Sequence, residues 1–392
     1  MNEKLKGLST FEHIASLEDY LKLRASVAQS PKSDEANGIQ NPSKEDEKPF
    51  KGNIENYFGM AEIPMGLAGP LFFKGKSGAF AVNIPLATTE GALVASYNRG
   101  MKACAESGII SSICIKEGVQ RSPFFKFETL KDALRFSDWV QEKLDIFNEI
   151  CKQSSRIAQV KSIKTNIEGN ALILILDFYT GDAAGQNMVT IATKMICKYI
   201  LKNMPTQPTV WYIESNFSGD KKATFQSFQN VRGKKVSAEI VLKRDVIKNT
   251  LKTTPELMEA YWINSTMAAV KSGSIGAQGH VANGLTALFI ATGQDVACVS
   301  EAAIGMTRME ITQNGDLYVA VTLPSLIVGT VGGGTHLPSQ RACLEMMDAY
   351  GTGKAIKFAE ICAAVALAGE ISIAAAISAG HFTDAHKRLG RR

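Results

Sequence analysis

One stretch near the end of the chain, residues 358–380, constrains the fold more than any other. It is apolar, mostly alanine and other small residues, and about as long as a membrane span. Glu360 and Glu370 stand inside it, however, and a carboxylate facing lipid is costly. The sequence therefore predicts a tightly packed interior helix and no membrane partner. Such a helix needs a large core around it. The 392 residues, 45% of them hydrophobic, can supply one, and the length allows two or three domains. The net charge of +5 is small for this size and gives no basis for a nucleic-acid partner. Seven cysteines, scattered, odd in number and without a CxxC pair, read as reduced packing residues of a cytoplasmic protein. Residues 1–20 are polar and charged, unlike a signal peptide.

Residues 1–48 hold one amphipathic helix at most, over 11–23, before a polar linker over 30–49. Further on, 80–85 reads as a strand, and Leu93, Tyr97, Met101 and Cys104 recur at helical spacing. Thr88 or Thr89 suits the N-cap. Glu90 thus lies on the turn between strand and helix. It is either a first-turn acid complementing the helix dipole or a group aimed into a site. On the same helix, Arg99 and Lys102 lie beside Asn98. They form either a solvated basic face or a seat for phosphates.

Residues 124–215 read as one unit. Strands over 124–127, 157–163, 171–178 and 209–213 alternate with a helix marked by Leu130, Ala133, Phe136, Val140, Leu144 and Phe147 and another over 183–202. The order β-α-β-β-α-β is the ferredoxin-like pattern, here inserted into a larger domain. Within it, GDAAGQNM at 181–188 offers Asp182 as a helix cap and small residues that let a phosphate approach the first-turn N–H groups.

Asn216 to Lys222 packs Asp220 against Lys221 and Lys222, and a long amphipathic segment is expected over 241–268. GSIGAQGH at 273–280 precedes Asn283, and Asp295 ends an apolar helix-like run. The glycine cluster at 329–335 permits close backbone approach. His280, His336 and His381 read as structural. The five histidines lack ligand spacing with Cys or Asp, so no metal is expected.

Six blocks in order, EN at 55–56 with PMGLAGP at 64–70, TEG at 89–91, DKK at 220–222, GQD at 293–295, GTVGGGT at 329–335 and GH at 380–381, resemble the catalytic region of eukaryotic and archaeal 3-hydroxy-3-methylglutaryl-CoA (HMG-CoA) reductases, without the membrane anchor of the animal enzymes. The fold class that this resemblance implies is α/β, in the mixed α+β sense. A large substrate-binding domain (59–122 and 225–392) carries an inserted ferredoxin-like nucleotide-binding domain (123–212). A catalytic loop lies at 213–224, and 1–58 form the N-terminal segment. The resemblance also implies a homodimer or dimer of dimers with shared active sites, Glu55 and Asn56 lying at the dimer contact.

By the same resemblance the chain reduces HMG-CoA to mevalonate and coenzyme A, taking two hydrides from NADPH. Lys221 would stabilise the thioester oxygen as charge develops. Glu90 would deliver protons, His386 would protonate the departing thiolate, and Asp295 would stand between Glu90 and Lys221. Ser155, Arg156, Asp182, Gly185, Asn187 and Met188 match the NADP(H) contacts. This chain departs at Ala184 and Gln186, where methionines are usual. Asn98, Arg99 and Lys102 match the CoA contacts. Arg121, Asp220 and Lys222 match contacts to the acyl carboxyl, and Asn283 joins the substrate set. Glu214 falls where a serine is usual and Ile263 where a lysine is usual; both changes weaken an anion pocket.

Overall fold

The computed structural model describes residues 50–57 and 59–380. The expected helix over 11–23, the linker, His381 and His386 lie outside them. The chain divides into two units, Met1–Glu62 and Ile63–Arg392. In the described part of the first, the rings of Phe50 and Tyr57 stack 4.5 Å apart.

The second unit opens with an antiparallel hairpin, β1 (Met65–Gly75) and β2 (Gly78–Ala87). Helix α1 (Leu93–Ser107) follows and buries Leu93, Tyr97, Met101 and Cys104, the residues whose spacing predicts it. Strand β3 (Ile110–Arg121) is the hinge of the topology. Ser111–Gly118 pair antiparallel with β8 (Gly233–Leu242), whereas Val119–Arg121 pair with β6 (Ala171–Tyr179). One strand therefore serves both halves of a ten-stranded sheet.

The insert runs β4 (Phe124–Lys126), α2 (Leu130–Gln141), α3 (Leu144–Lys152), β5 (Gln159–Glu168), β6, α4 (Gln186–Asn203) and β7 (Val210–Tyr212). Its strands lie in the order β7-β4-β6-β5, every neighbour antiparallel. That is the ferredoxin-like order. Two helices replace the single one expected over 130–147. The break at Glu142 and Lys143 lets α3 turn along β5 and α4, burying Phe147 and Cys151. The expected edge at 122/123 lies in the link between β3 and β4, and that at 212/213 coincides with the end of β7.

The amphipathic segment expected over 241–268 is a strand end, a short helical stretch over 244–251 that is π-helical from Ile247, and then α5 (Pro255–Ser272). Val241 and Leu242 pair in the β8 ladder with β10 (Leu317–Leu326), whose far edge carries β9 (Met306–Ile311). The start of α5 is set locally: Thr254 accepts the Leu257 N–H, and Pro255 occupies the first turn. Helices α6 (Val281–Thr292), α7 (Pro338–Met346) and α8 (Ala355–Ser378) complete the unit.

Helix α8 is the interior helix. Among the described residues it alone is long and apolar enough to cross a membrane, and 83% of its apolar window is buried in the protein. Its carboxylates find work there. Glu360 accepts the N–H groups of Lys76, at the β1–β2 turn, and Cys114, at a bulge of β3. Glu370 accepts those of Gly279 and His280 and the Thr307 hydroxyl. Both acids satisfy backbone donors that the irregular chain leaves unpaired. Gly100 lets α1 press directly on the Ala368 carbonyl, where a Cβ would overlap it.

Candidate active site

Glu90 stands on the turn after β2. Thr88 does not cap α1; its hydroxyl accepts the Glu90 N–H at 3.0 Å, and the helix begins three residues later behind Ala92 in left-handed conformation. The first turn of α1 holds no acid, so the helix-dipole reading of Glu90 falls. Its carboxylate instead accepts from Asn283 Nδ2 at 2.8 Å. Thr88, Glu90, Asn283, Thr286 and Ile290 line an open cavity of about 410 Å³.

A second cluster forms beyond the other end of α6. Gly293 closes the helix with φ 68° and packs on the Gly334 backbone, which leaves no room for a Cβ. This close approach is what the glycine cluster permits. Asp295 then caps a short turn through Oδ1 and the Ala297 N–H, and its Oδ2 holds Lys221 Nζ at 2.8 Å. That hydrogen bond raises the Lys221 pKa, so the lysine is an ammonium at any working pH. Both side chains are about half exposed, 44% and 42%, which leaves the cation open to a ligand. Lys221 itself adopts φ 55°, a left-handed conformation that costs a non-glycine residue roughly 1–2 kcal/mol.

Beneath Lys221 lies a buried ionic network. The Asp220 carboxylate is shared by Arg121 Nη1 at 2.8 Å and Arg232 Nη2 at 2.7 Å. Arg232 Nε lies 3.2 Å from Glu301 Oε2, and Glu301 Oε1 accepts the Lys221 N–H at 3.2 Å. Burial pushes the Glu301 carboxyl up to about 7. Gln186 adds its side-chain oxygen to Arg232 and its amide to Cys298. Arg121 spends its remaining donors on Thr190 and the Gln186 carbonyl. Its side chain is 9% exposed, so the guanidinium is largely committed to these protein partners. Lys222 is exposed and donates to the Asp220 carbonyl. Glu214 lies 3.7 Å from Arg121 and accepts from Ser218, Ser122 and Ser215. Ile263 stands on an exposed face of α5, 48% accessible.

In the insert, Asp182 does not cap the helix it precedes. Its carboxylate accepts from Gly353 and Ala355, at the start of α8. Gly185, with φ 80°, is the N-cap of α4 and supplies no side chain. The N–H groups of Gln186, Asn187 and Met188 therefore open a helix without a capping side chain, an arrangement that suits a phosphate. Ser155 Oγ accepts from Ile157 and Ala158, and Arg156 beside it is exposed. On α1, Asn98 accepts the Gly69 N–H, Arg99 donates to the hydroxyl and carbonyl of Ser372, and Lys102 points outward, 3.8 Å from Glu106.

The profile described as Hydroxymethylglutaryl-coenzyme A reductase matches residues 20–391. The 3-hydroxy-3-methylglutaryl-coenzyme A reductase of Pyrococcus horikoshii is 45% identical over 348 residues, 86% of this chain and 84% of that protein. The one from Methanocaldococcus jannaschii is 40% identical over 358 residues, 90% and 88% of the two chains. The chain belongs to the HMG-CoA reductase family. By that membership it is an oxidoreductase, and a nicotinamide is its cofactor type. The fold agrees: the class II reductase of Streptococcus pneumoniae bound to NADPH in open conformations superposes with a TM-score of 0.66, at 17% identity, over 92% of this chain and 97% of that one.

In this family member the expected gathering of Glu90, Asp295 and Lys221 is split within one chain. Lys221 meets Asp295, whereas Glu90 meets Asn283. From Asn283 to Thr292, α6 rises ~14 Å at about 1.5 Å per residue, which keeps the two clusters apart. Arg232 and Glu301 carry no motif that marks them in the sequence. Arg232 hides in the basic run before Lys234 and Lys235. Glu301 left a usable signal, a lone acid in the apolar run 296–304.

Proposed function

We propose that this chain reduces HMG-CoA to mevalonate and coenzyme A, with two hydrides from NADPH, in sites completed by a second copy of the chain. The pair of Lys221 and Asp295 carries this reading. An ammonium whose pKa is raised is a poor nucleophile and a good partner for an oxyanion. Lys221 faces the thioester oxygen as it gains charge, and Asp295 keeps the cation in place. Glu90, from the other copy, delivers a proton as the intermediate collapses; its side chain needs only a hydrogen-bond donor such as Asn283 to stay oriented. His386 protonates the thiolate that leaves. The separation of the two clusters along α6 supports the shared site.

For the cofactor, the first turn of α4 supports phosphate binding by the insert, residues 123–212, with Gly185, Asn187 and Met188 in contact. Its backbone donors and small residues fit a dinucleotide. Bound there, the nicotinamide supplies the hydride. Arg156, exposed beside the Ser155 turn, suits the 2′-phosphate that distinguishes NADPH from NADH. The cysteines of this unit are free and buried, which fits a reducing cytoplasm.

One observation favours a second reading, another 3-hydroxyacyl-CoA as substrate. Glu214 places a second carboxylate beside Arg121, which lowers the pull of that arginine on an acyl carboxylate. NADPH absorbance with HMG-CoA, and NADP+ reduction with mevalonate and CoA, test the first reading, and NADPH absorbance with other 3-hydroxyacyl-CoA thioesters tests the second. Absence of turnover in both directions would remove the first reading.

A further inference from the structure

One short segment grips Lys221 at both ends. Asp295 Oδ2 takes the ammonium at 2.8 Å and Glu301 Oε1 takes the backbone N–H at 3.2 Å. Both carboxylates come from the turn that follows α6. The ammonium's partner is half exposed; the backbone's partner is wholly buried, with Glu301 at 0% and Arg232 at 1% exposure. Glu301 also closes a ring. Its other oxygen faces Arg232, Arg232 holds Asp220, and Asp220 is the residue before Lys221. Every link points inward, so neither Glu301 nor Arg232 can touch a substrate. A buried ion pair is also a poor source of stability, since well-packed apolar residues often replace one without loss. What the ring supplies is geometry. Lys221 sits in a left-handed conformation that an ordinary side chain adopts only when its surroundings hold it there.

We propose that Glu301, braced by Arg232, is a positioning residue for the reduction: it fixes the Lys221 backbone so that the ammonium stands at the oxyanion. The proposal rests on the role given to Lys221 above. The catalytic cost of losing such a brace is large, because a displacement of about 1 Å can cost on the order of 10²-fold in rate.

The test compares Glu301→Leu, which fills most of the site but accepts nothing, with Glu301→Gln, whose amide oxygen can still take the Lys221 N–H. Both are assayed with HMG-CoA and NADPH at a temperature where circular dichroism shows each folded. Glu301→Leu is expected to lower kcat roughly 30- to 100-fold, with the KM for NADPH within about twofold. Glu301→Gln is expected to keep more than about a tenth of kcat, because one of the two contacts survives. Should Glu301→Leu not fold, Glu301→Ser replaces it with the same expected loss. Equal losses in the two variants, a kcat within about threefold of the parent in Glu301→Leu, or a rise in KM alone would overturn the proposal. Lys221→Ala is measured alongside. If it stays active, the role of Lys221 itself fails; if it is dead while Glu301→Leu is active, only the positioning role fails.

Discussion

The carboxylate of Asp182 accepts the backbone N–H of Ala355, 173 residues away, at 3.1 Å. Its other oxygen accepts from Gly353 at 2.8 Å, and its carbonyl accepts from Thr330. An acid that sequence spacing assigns to its own helix thus caps the interior helix α8, and it pins the loop 181–185 while doing so. Asp182→Ala frees two backbone donors at once. The expected loss is about 1–3 kcal/mol of stability, read from urea unfolding. Because the loop precedes the first turn of α4, the KM for NADPH is expected to rise as well. Asp182→Asn, which keeps one acceptor, should fall between the parent and Asp182→Ala in both measurements.

Lys221 and Asp295 form a half-exposed pair, and exposed pairs contribute only about 0–1 kcal/mol to stability. Their removal should therefore separate activity from folding. Lys221→Ala is expected to lower kcat by about 10²–10³-fold while the melting temperature barely moves. Asp295→Asn removes the carboxylate that orients the ammonium, so its kcat should fall in the same direction. A parallel collapse of melting temperature would mean that the pair is structural.

If Glu90 acts in the site of the other copy, two dead variants can repair one another. In a mixed dimer of Glu90→Gln and Lys221→Ala, one site carries both changes and the other carries neither. Equal mixing after co-refolding should restore about a quarter of the parent activity, given two-fold symmetry and random pairing. A mixture as inactive as its components would place both residues in one chain's site.

Much of this architecture is legible from spacing. The ferredoxin-like order, the burial of Leu93, Tyr97, Met101 and Cys104, and the interior position of α8 follow from periodicity and from acids in an apolar run. What is not legible depends on partners remote in the chain. Nothing local to Asp182 says that it caps α8, and nothing local to Arg232 says that it is fully buried between Asp220 and Glu301. The amphipathic segment over 241–268 leaves its element type open for a different reason. Val241 and Leu242 fit either a helix face or a ladder, and tertiary pairing with β10 decides. The Thr254–Pro255 start signal was available in the sequence.

Asp177 gives a prediction about pH that involves no substrate. It lies on β6 opposite Gln120 of β3, where the insert joins the rest of the sheet. Its Oδ1 is buried without a hydrogen-bond partner and presses against Gly118, which has no room for a Cβ. Burial pushes its carboxyl up to about 6, against the pull of Lys116, Lys161 and Lys164. The unfolded chain loses this proton near the ordinary value of 3.8. Between the two values the native state therefore binds more protons than the unfolded state, and stability must fall as pH rises through that window. Below it both states are protonated and the penalty vanishes. A shift of about 2 units sets an upper bound of about 3 kcal/mol on the effect. Asp177→Asn keeps the shape and removes the charge. It should stabilise the protein by about 1–3 kcal/mol at pH 7 and leave it nearly unchanged near pH 3. Urea unfolding at the two pH values measures this directly. An equal gain at both would trace the effect to packing, and a loss at pH 7 would mean that the ionised Asp177 is held by its lysines more strongly than burial opposes it.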